Sequence, residues 1–173
     1  RRYRVTSETV KPLKKKNTAL LTDSAPQKLW TRQFIVGTLL NFVIALNYFM
    51  FMVIMTAYAL EKYDAPAAAA AFCASIFIVG TLFARFLSAP LMEKLGKHKL
   101  LCIFGVCVVI FTGLYSLSMP FILLFALRFI HGLSYGICST TIATIVTGIV
   151  PKARKGEGIG YFMLSVPLGS ALG

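Results

Sequence analysis

The sequence predicts an all-α polytopic membrane protein, a helix bundle cut off after about five transmembrane helices. Three observations predict it. Of 173 residues, 57% are hydrophobic and 14% are charged, with a mean hydropathy of +0.76, whereas a soluble domain is nearer half apolar and a quarter charged. The apolar residues gather in long uncharged runs. The basic residues gather in the gaps on one side of them.

The runs are Phe34 to Leu60 (27 residues), Ala65 to Ala84 (20), Leu100 to Leu127 (28) and Phe129 to Val150 (22, with a single His). A stretch of about 18 or more apolar residues reads as a membrane helix. Before them, residues 1–32 hold nine Lys or Arg against two acids, interrupted by Pro12 and Pro26. This is the composition of a basic cytoplasmic tail. Lys14, Lys15 and Lys16 can meet anionic lipid, and Trp30 with Arg32 suits the membrane edge. Tyr3 is the one aromatic before Trp30, so there is no stacking platform and nucleic acid is not an expected partner. The first apolar run starts too late and is too long for a secretory signal.

The first span is expected at about 33–60. Glu61 to Asp64 makes a polar turn, and Pro66 suits a helical first turn, which places the second span at about 66–92. The basic stretch 93–99 follows as a short loop. Leu100 to Val150 is 51 residues, too long for one crossing of a core about 30 Å thick at about 1.5 Å per residue. Ser118-Met119-Pro120 is the expected break, since Pro disfavours helix in the residue before it. Spans three and four are then about 100–118 and 121–150. Pro151 to Glu157 is a basic loop, and 158–173 opens an incomplete fifth span. The chain opens on Arg1 and closes inside an apolar run, so it is expected to be a piece of a longer protein.

This map puts fifteen of the 18 Lys and Arg on one side: the tail, Lys94, Lys97, Lys99, Lys152, Arg154 and Lys155. The other side holds Lys62. Short loops rich in Lys and Arg stay cytoplasmic. The expected arrangement is a multi-pass protein of the cell membrane with its N-terminus in the cytosol.

Two cations remain within spans, Arg85 and Arg128. A central Arg costs about 2.5–3.5 kcal/mol on insertion scales and usually faces a bundle interior or a wet cavity. Arg85 can either snorkel to the cytoplasmic headgroups or face the bundle above Glu93. Arg128 shares a helix face with His131; it can snorkel, serve a fixed internal ion pair or hydrogen-bond network, or serve transport or proton coupling. Asn47, near the midplane of the first span, is a candidate for a solute contact or for a helix-to-helix hydrogen bond. Asn41 is also polar at lipid depth. No Asp or Glu lies within the apolar part of any span. A proton-carrying carboxylate must then come from outside these residues, or other chemistry replaces it.

The remaining signals are bland. Cys73, Cys102, Cys107 and Cys138 lie in apolar runs without zinc spacing and read as small packing residues. The similarity of Leu87-Ser88-x-Pro90-Leu91 to Leu164-Ser165-x-Pro167-Leu168 places equivalent residues at different depths and reads as chance. No nucleophile–base pair, phosphate loop or metal constellation appears, so neither an enzyme nor a cofactor is expected.

Three motifs carry a family resemblance. Ala89-Pro-Leu91-Met-Glu93-Lys94-Leu-Gly96-Lys97-His-Lys99, between spans two and three, resembles the signature loop of the major facilitator superfamily. Leu91, Gly96 and Lys97 match its pattern, Glu93 and Lys94 are conservative, and Ala89 replaces a Gly. Arg128-x-x-His131-Gly132 resembles the family's Arg-x-x-Gln-Gly motif in the fourth span, with His in the Gln position. Gly160, Gly169 and Gly173 resemble the glycine spacing of the antiporter motif of drug:proton exporters.

The resemblance covers Trp30 to Gly173. It implies a major-facilitator-type bundle of twelve or fourteen helices, of which this is most of the first half. It also implies a secondary active transporter working by alternating access, expected to be a proton-driven exporter of small organic, amphipathic compounds. The expected partners are therefore a small-molecule substrate, protons and membrane lipids. By resemblance, Arg128 and His131 serve coupling. Glu93 would meet a helix N-terminus of the other half, with Lys94 and Lys97 latching the cytoplasmic face. The open alternatives are an uptake symporter on the same fold and a non-transporting membrane scaffold.

Overall fold

The structure, a computed structural model, describes residues 28–173. The tail expected to meet anionic lipid lies mostly outside the described residues. Among the described residues four helices are long and apolar enough to cross a membrane: α1 (Arg32–Tyr63), α2 (Ala67–Leu95), α3 (Lys97–Leu114) and α4 (Phe121–Ile149). A 3₁₀ turn (Lys152–Arg154) leads into two short helices, α5 (Lys155–Met163) and α6 (Ser165–Leu172).

Local chemistry sets the boundaries. Thr31 caps α1: its Oγ1 accepts from the Phe34 amide at 3.2 Å, filling one of the donors every helix start leaves open. Asp64 ends α1 in the left-handed region, φ 47°, and donates its amide to the Ala59 carbonyl. Pro66 and Pro120 stand immediately before α2 and α4, where a missing N–H costs nothing. On this side Lys62 donates to Ser118 Oγ at 3.0 Å. The Tyr63 hydroxyl donates to the Met119 carbonyl, so the end of α1 is tied to the turn between α3 and α4.

At the other end of α2 the stretch expected as a loop of about seven residues is helical on both sides of one residue. The break is Gly96 alone, at φ 78° and ψ 147°. Its amide closes α2 on Met92 and its carbonyl accepts from Leu100 to open α3. Nothing lies where its Cβ would be. The reason for Gly is the backbone itself, since a side chain there costs about 1–3 kcal/mol of strain.

Burial runs opposite to that of a soluble protein. Ile122 is 78% exposed, Phe86 74% and Val109 71%, whereas Arg128 is 2% and His131 1% exposed. Many large apolar groups face outward while Arg128 and His131 face in, as lipid demands. Between the helices the contact is made by small residues. A Cβ on Gly80 would sit 2.3 Å from the Phe129 carbonyl oxygen, and one on Gly132 2.1 Å from that of Phe77. One turn on, Gly136 faces Ala84. Thus α2 and α4 touch backbone to backbone, the mode expected where packing rather than the hydrophobic effect joins helices. Gly169 and Gly173 stand against Ala45 and Leu46 of α1 much as Gly80 and Ala84 stand against α4.

The α4 hydroxyls of Thr140, Thr141, Thr144 and Thr147 bond to carbonyls three or four residues back. They are satisfied within their own helix. Arg154 grips Glu157 through two hydrogen bonds of 2.8 and 2.6 Å at the start of α5. This pairing holds the Glu157 carboxyl below the usual carboxylate range. The pair is exposed and contributes little to stability.

Candidate functional site

The polar interior centres on one turn of α4. Arg128 and His131 are three residues apart and share a face, and Gly132 beside them lets α2 come close enough to serve as a partner. The Arg128 guanidinium lies against that helix. Its Nε donates to the Cys73 carbonyl at 3.3 Å and Nη2 to the Ala74 carbonyl at 3.4 Å. The Phe77 ring lies 4.9 Å from the guanidinium carbon, within cation–π range. Both bonds are long, and both carbonyls belong to the interior of α2. No carboxylate lies within salt-bridge reach of Arg128 among the described residues. A buried cation held only by carbonyl dipoles and a ring face is costly, and its charge stays available to another group.

His131 lies one turn further on. Its Nδ1 shares a hydrogen bond of 3.0 Å with the hydroxyl of Tyr115, the residue that ends α3, and Phe77 meets its ring edge-on at 5.2 Å. Its Nε2 is buried and has no partner. If Tyr115 donates, Nε2 carries a proton with no acceptor. If Nδ1 donates, Nε2 is a bare acceptor. In either tautomer the buried Nε2 is left without a partner among the described residues.

The other expected site residues fall elsewhere. Asn47 donates from Nδ2 to Thr112 Oγ1 at 3.4 Å, a link between α1 and α3 rather than to the Arg128 cluster. Asn41 donates to Ser165 Oγ at 2.7 Å and ties α1 to α6. Arg85 is exposed on α2, next to Ala84, which meets Gly136 of α4. Glu93, Lys94, Gly96 and Lys97 are exposed around the end of α2, with no ion pair among the described residues. Gly132, Gly169 and Gly173 lie at close helix contacts, whereas Gly160 is exposed, with nothing within 4 Å of its would-be Cβ among the described residues. The motif spacing groups three glycines, but Gly160 points off the face that meets α1.

Sequence reading missed Tyr115, Phe77 and the carbonyls of Cys73 and Ala74. They come from other helices, and no local pattern marks them. It also missed Gly80, Ala84 and Gly136. Their signal was present: Gly80 to Ala84 and Gly132 to Gly136 are both small residues four apart, the spacing of a close helix pair.

Comparison with known proteins adds the following. The family model described as Major Facilitator Superfamily matches residues 37–173. Among curated proteins, the chain is 26% identical over 99 residues to "MFS-type transporter hepF" of Aspergillus oryzae, covering 57% of this chain and 20% of that protein. It is 25% identical over 99 residues to "Major facilitator-type transporter psiT2" of Psilocybe cyanescens and of Psilocybe cubensis, again covering 57% of this chain and 19% of each of those. These matches thus span about a fifth of the relatives' length. No solved structure matches. With a family match over most of its length, four apolar helices of spanning length among the described residues and a buried Arg128, the chain is that of an integral multi-pass membrane protein and belongs to the Major Facilitator Superfamily.

Proposed function

We propose that the protein containing this chain is a secondary active transporter, a proton-coupled exporter of small organic or amphipathic compounds that works by alternating access. The observation that carries this reading is the pair of Arg128, a buried cation without a carboxylate partner among the described residues, and His131 with its open Nε2. A purely structural polar cluster would be expected to satisfy its members, since an unpartnered buried group costs about 1–3 kcal/mol. A group that exchanges protons must instead keep a position open.

Gly160, Gly169 and Gly173, read by resemblance as the exporter motif, favour export over uptake. The charge asymmetry supports a cytosolic N-terminus in the cell membrane. It also leaves Glu93, Lys94 and Lys97 at the cytoplasmic face, where they are free to latch against the other half.

The test is flux in proteoliposomes of the full-length protein, with an amphipathic fluorescent compound as cargo and a pH-sensitive dye in the lumen. An imposed proton gradient should drive the compound against its own gradient, with protons moving the opposite way. Compound and protons moving the same way would establish the symporter instead. No flux under either gradient would leave the scaffold reading.

A further inference from the structure

Where α1, α2 and α4 meet, three rings form a cluster beside the buried Arg128 site. Tyr48 and Tyr135 are stacked, with centroids 5.4 Å apart and planes at 28°. Phe77 closes the group at 5.3 Å from Tyr48 and 5.4 Å from Tyr135. Tyr48 and Tyr135 are only half-buried, so the cluster is open on one side. Arg85 follows Ala84, and Tyr135 precedes Gly136, which meets Ala84 across the seam, so both border the same α2–α4 contact. Arg85 is exposed and carries no ion pair among the described residues.

The charge within the spans has one sign. Arg85 and Arg128 are the cations within the spans, and no Asp or Glu lies in Phe34 to Leu60, Ala65 to Met92 or Leu100 to Val150. His131, Tyr115 and Cys73 are the other titratable groups packed around Arg128, and none of them supplies a standing negative charge when protonated as usual. Unpaired cations at low dielectric attract an anion strongly and repel a second cation. Open aromatic faces add affinity for a flat ring.

We propose that Tyr48, Phe77, Tyr135 and Arg85 form this chain's share of a binding site for a planar aromatic organic anion. The ring of the ligand lies on the tyrosines and its anionic group pairs with Arg85. This rests on the transport reading above and narrows it to a substrate class. Snorkelling of Arg85 to the headgroups would leave it with no part in binding, and the test separates the two.

Equilibrium binding is measured on the full-length protein in lipid nanodiscs against protein-free discs. The probes are 2-naphthoate and 2-naphthylmethylammonium, equal in ring and opposite in charge. Wild type should bind the naphthoate about tenfold or more tighter than the ammonium. Arg85→Gln should remove that preference, Arg85→Lys should keep most of it, and Tyr135→Leu should weaken both probes. Equal binding of the two probes, preference for the ammonium, binding of neither, or naphthoate affinity unchanged in Arg85→Gln each overturns the proposal. Naphthoate binding that depends on Arg85 but yields no gradient-driven flux would support the site and count against the coupled-transport reading, so the two fail separately.

Discussion

Gly132→Val is expected to separate α2 from α4 and to lower stability by about 3 kcal/mol or more. A Cβ at this position would lie 2.1 Å from the Phe77 carbonyl oxygen, 2.9 Å from its carbon and 3.0 Å from its Cα. All three atoms are backbone, so no rotamer change relieves the clash and a helix has to move. Overpacking a core typically costs about 1–3 kcal/mol when side chains can adjust, and here they cannot. The displacement would also draw the Cys73 and Ala74 carbonyls away from Arg128, stranding its charge. The control is Gly160→Val, where nothing lies within 4 Å and the change should stay within about 0.5 kcal/mol. Thermal unfolding of the purified full-length protein reads both. Equal losses in the two variants would contradict the backbone-to-backbone seam.

Arg128→Met is expected to reduce proton-driven flux by about a hundredfold or more while leaving stability unchanged or slightly raised. The two effects diverge for a physical reason. The guanidinium is buried against carbonyls at 3.3 and 3.4 Å with no carboxylate among the described residues. Replacing a buried ion by an apolar group of similar volume is often neutral, or stabilising by about 1–4 kcal/mol. If Arg128 only held α2 to α4, its loss would cost stability first and flux through that. If it serves coupling, flux falls in a protein that remains folded. Arg128→Lys should not restore the flux, because a compact ammonium cannot reproduce a planar fork bridging two successive carbonyls. Full flux in Arg128→Met would remove the residue from the mechanism.

Much of the helical frame was legible in the sequence because lipid makes simple demands. Uncharged runs long enough to span, with Pro66 and Pro120 at their starts, announce helices with little reference to tertiary context. Arg128 and His131 were legible for a related reason: at lipid depth, a charge that is present has to be accounted for. Gly96 was read as part of a motif, but its positive φ follows from α2 and α3 both continuing to its edges, which composition does not reveal. Asn47 was open between a solute and a helix contact, and Thr112, 65 residues away, supplies a partner. The internal likeness of residues 87–91 to 164–168 was set aside as a matter of depth. The likeness that the packing carries is a different one, Gly80 and Ala84 against α4 beside Gly169 and Gly173 against α1. It lies in how small residues pair across helices, so no alignment of apolar letters exposes it. Tyr115, which completes the His131 site, arrives from the end of α3 and leaves no trace near the motif it serves.

The account depends on the polar interior lying within a bilayer that the chain crosses repeatedly, with the basic gaps all on one face. Single cysteines at Lys62 and at Lys97, in a full-length protein otherwise free of cysteine, measure this with a membrane-impermeant maleimide on intact cells. Lys62→Cys should label from outside and Lys97→Cys only after the membrane is opened. Labelling of both from the same side of the intact membrane would contradict it.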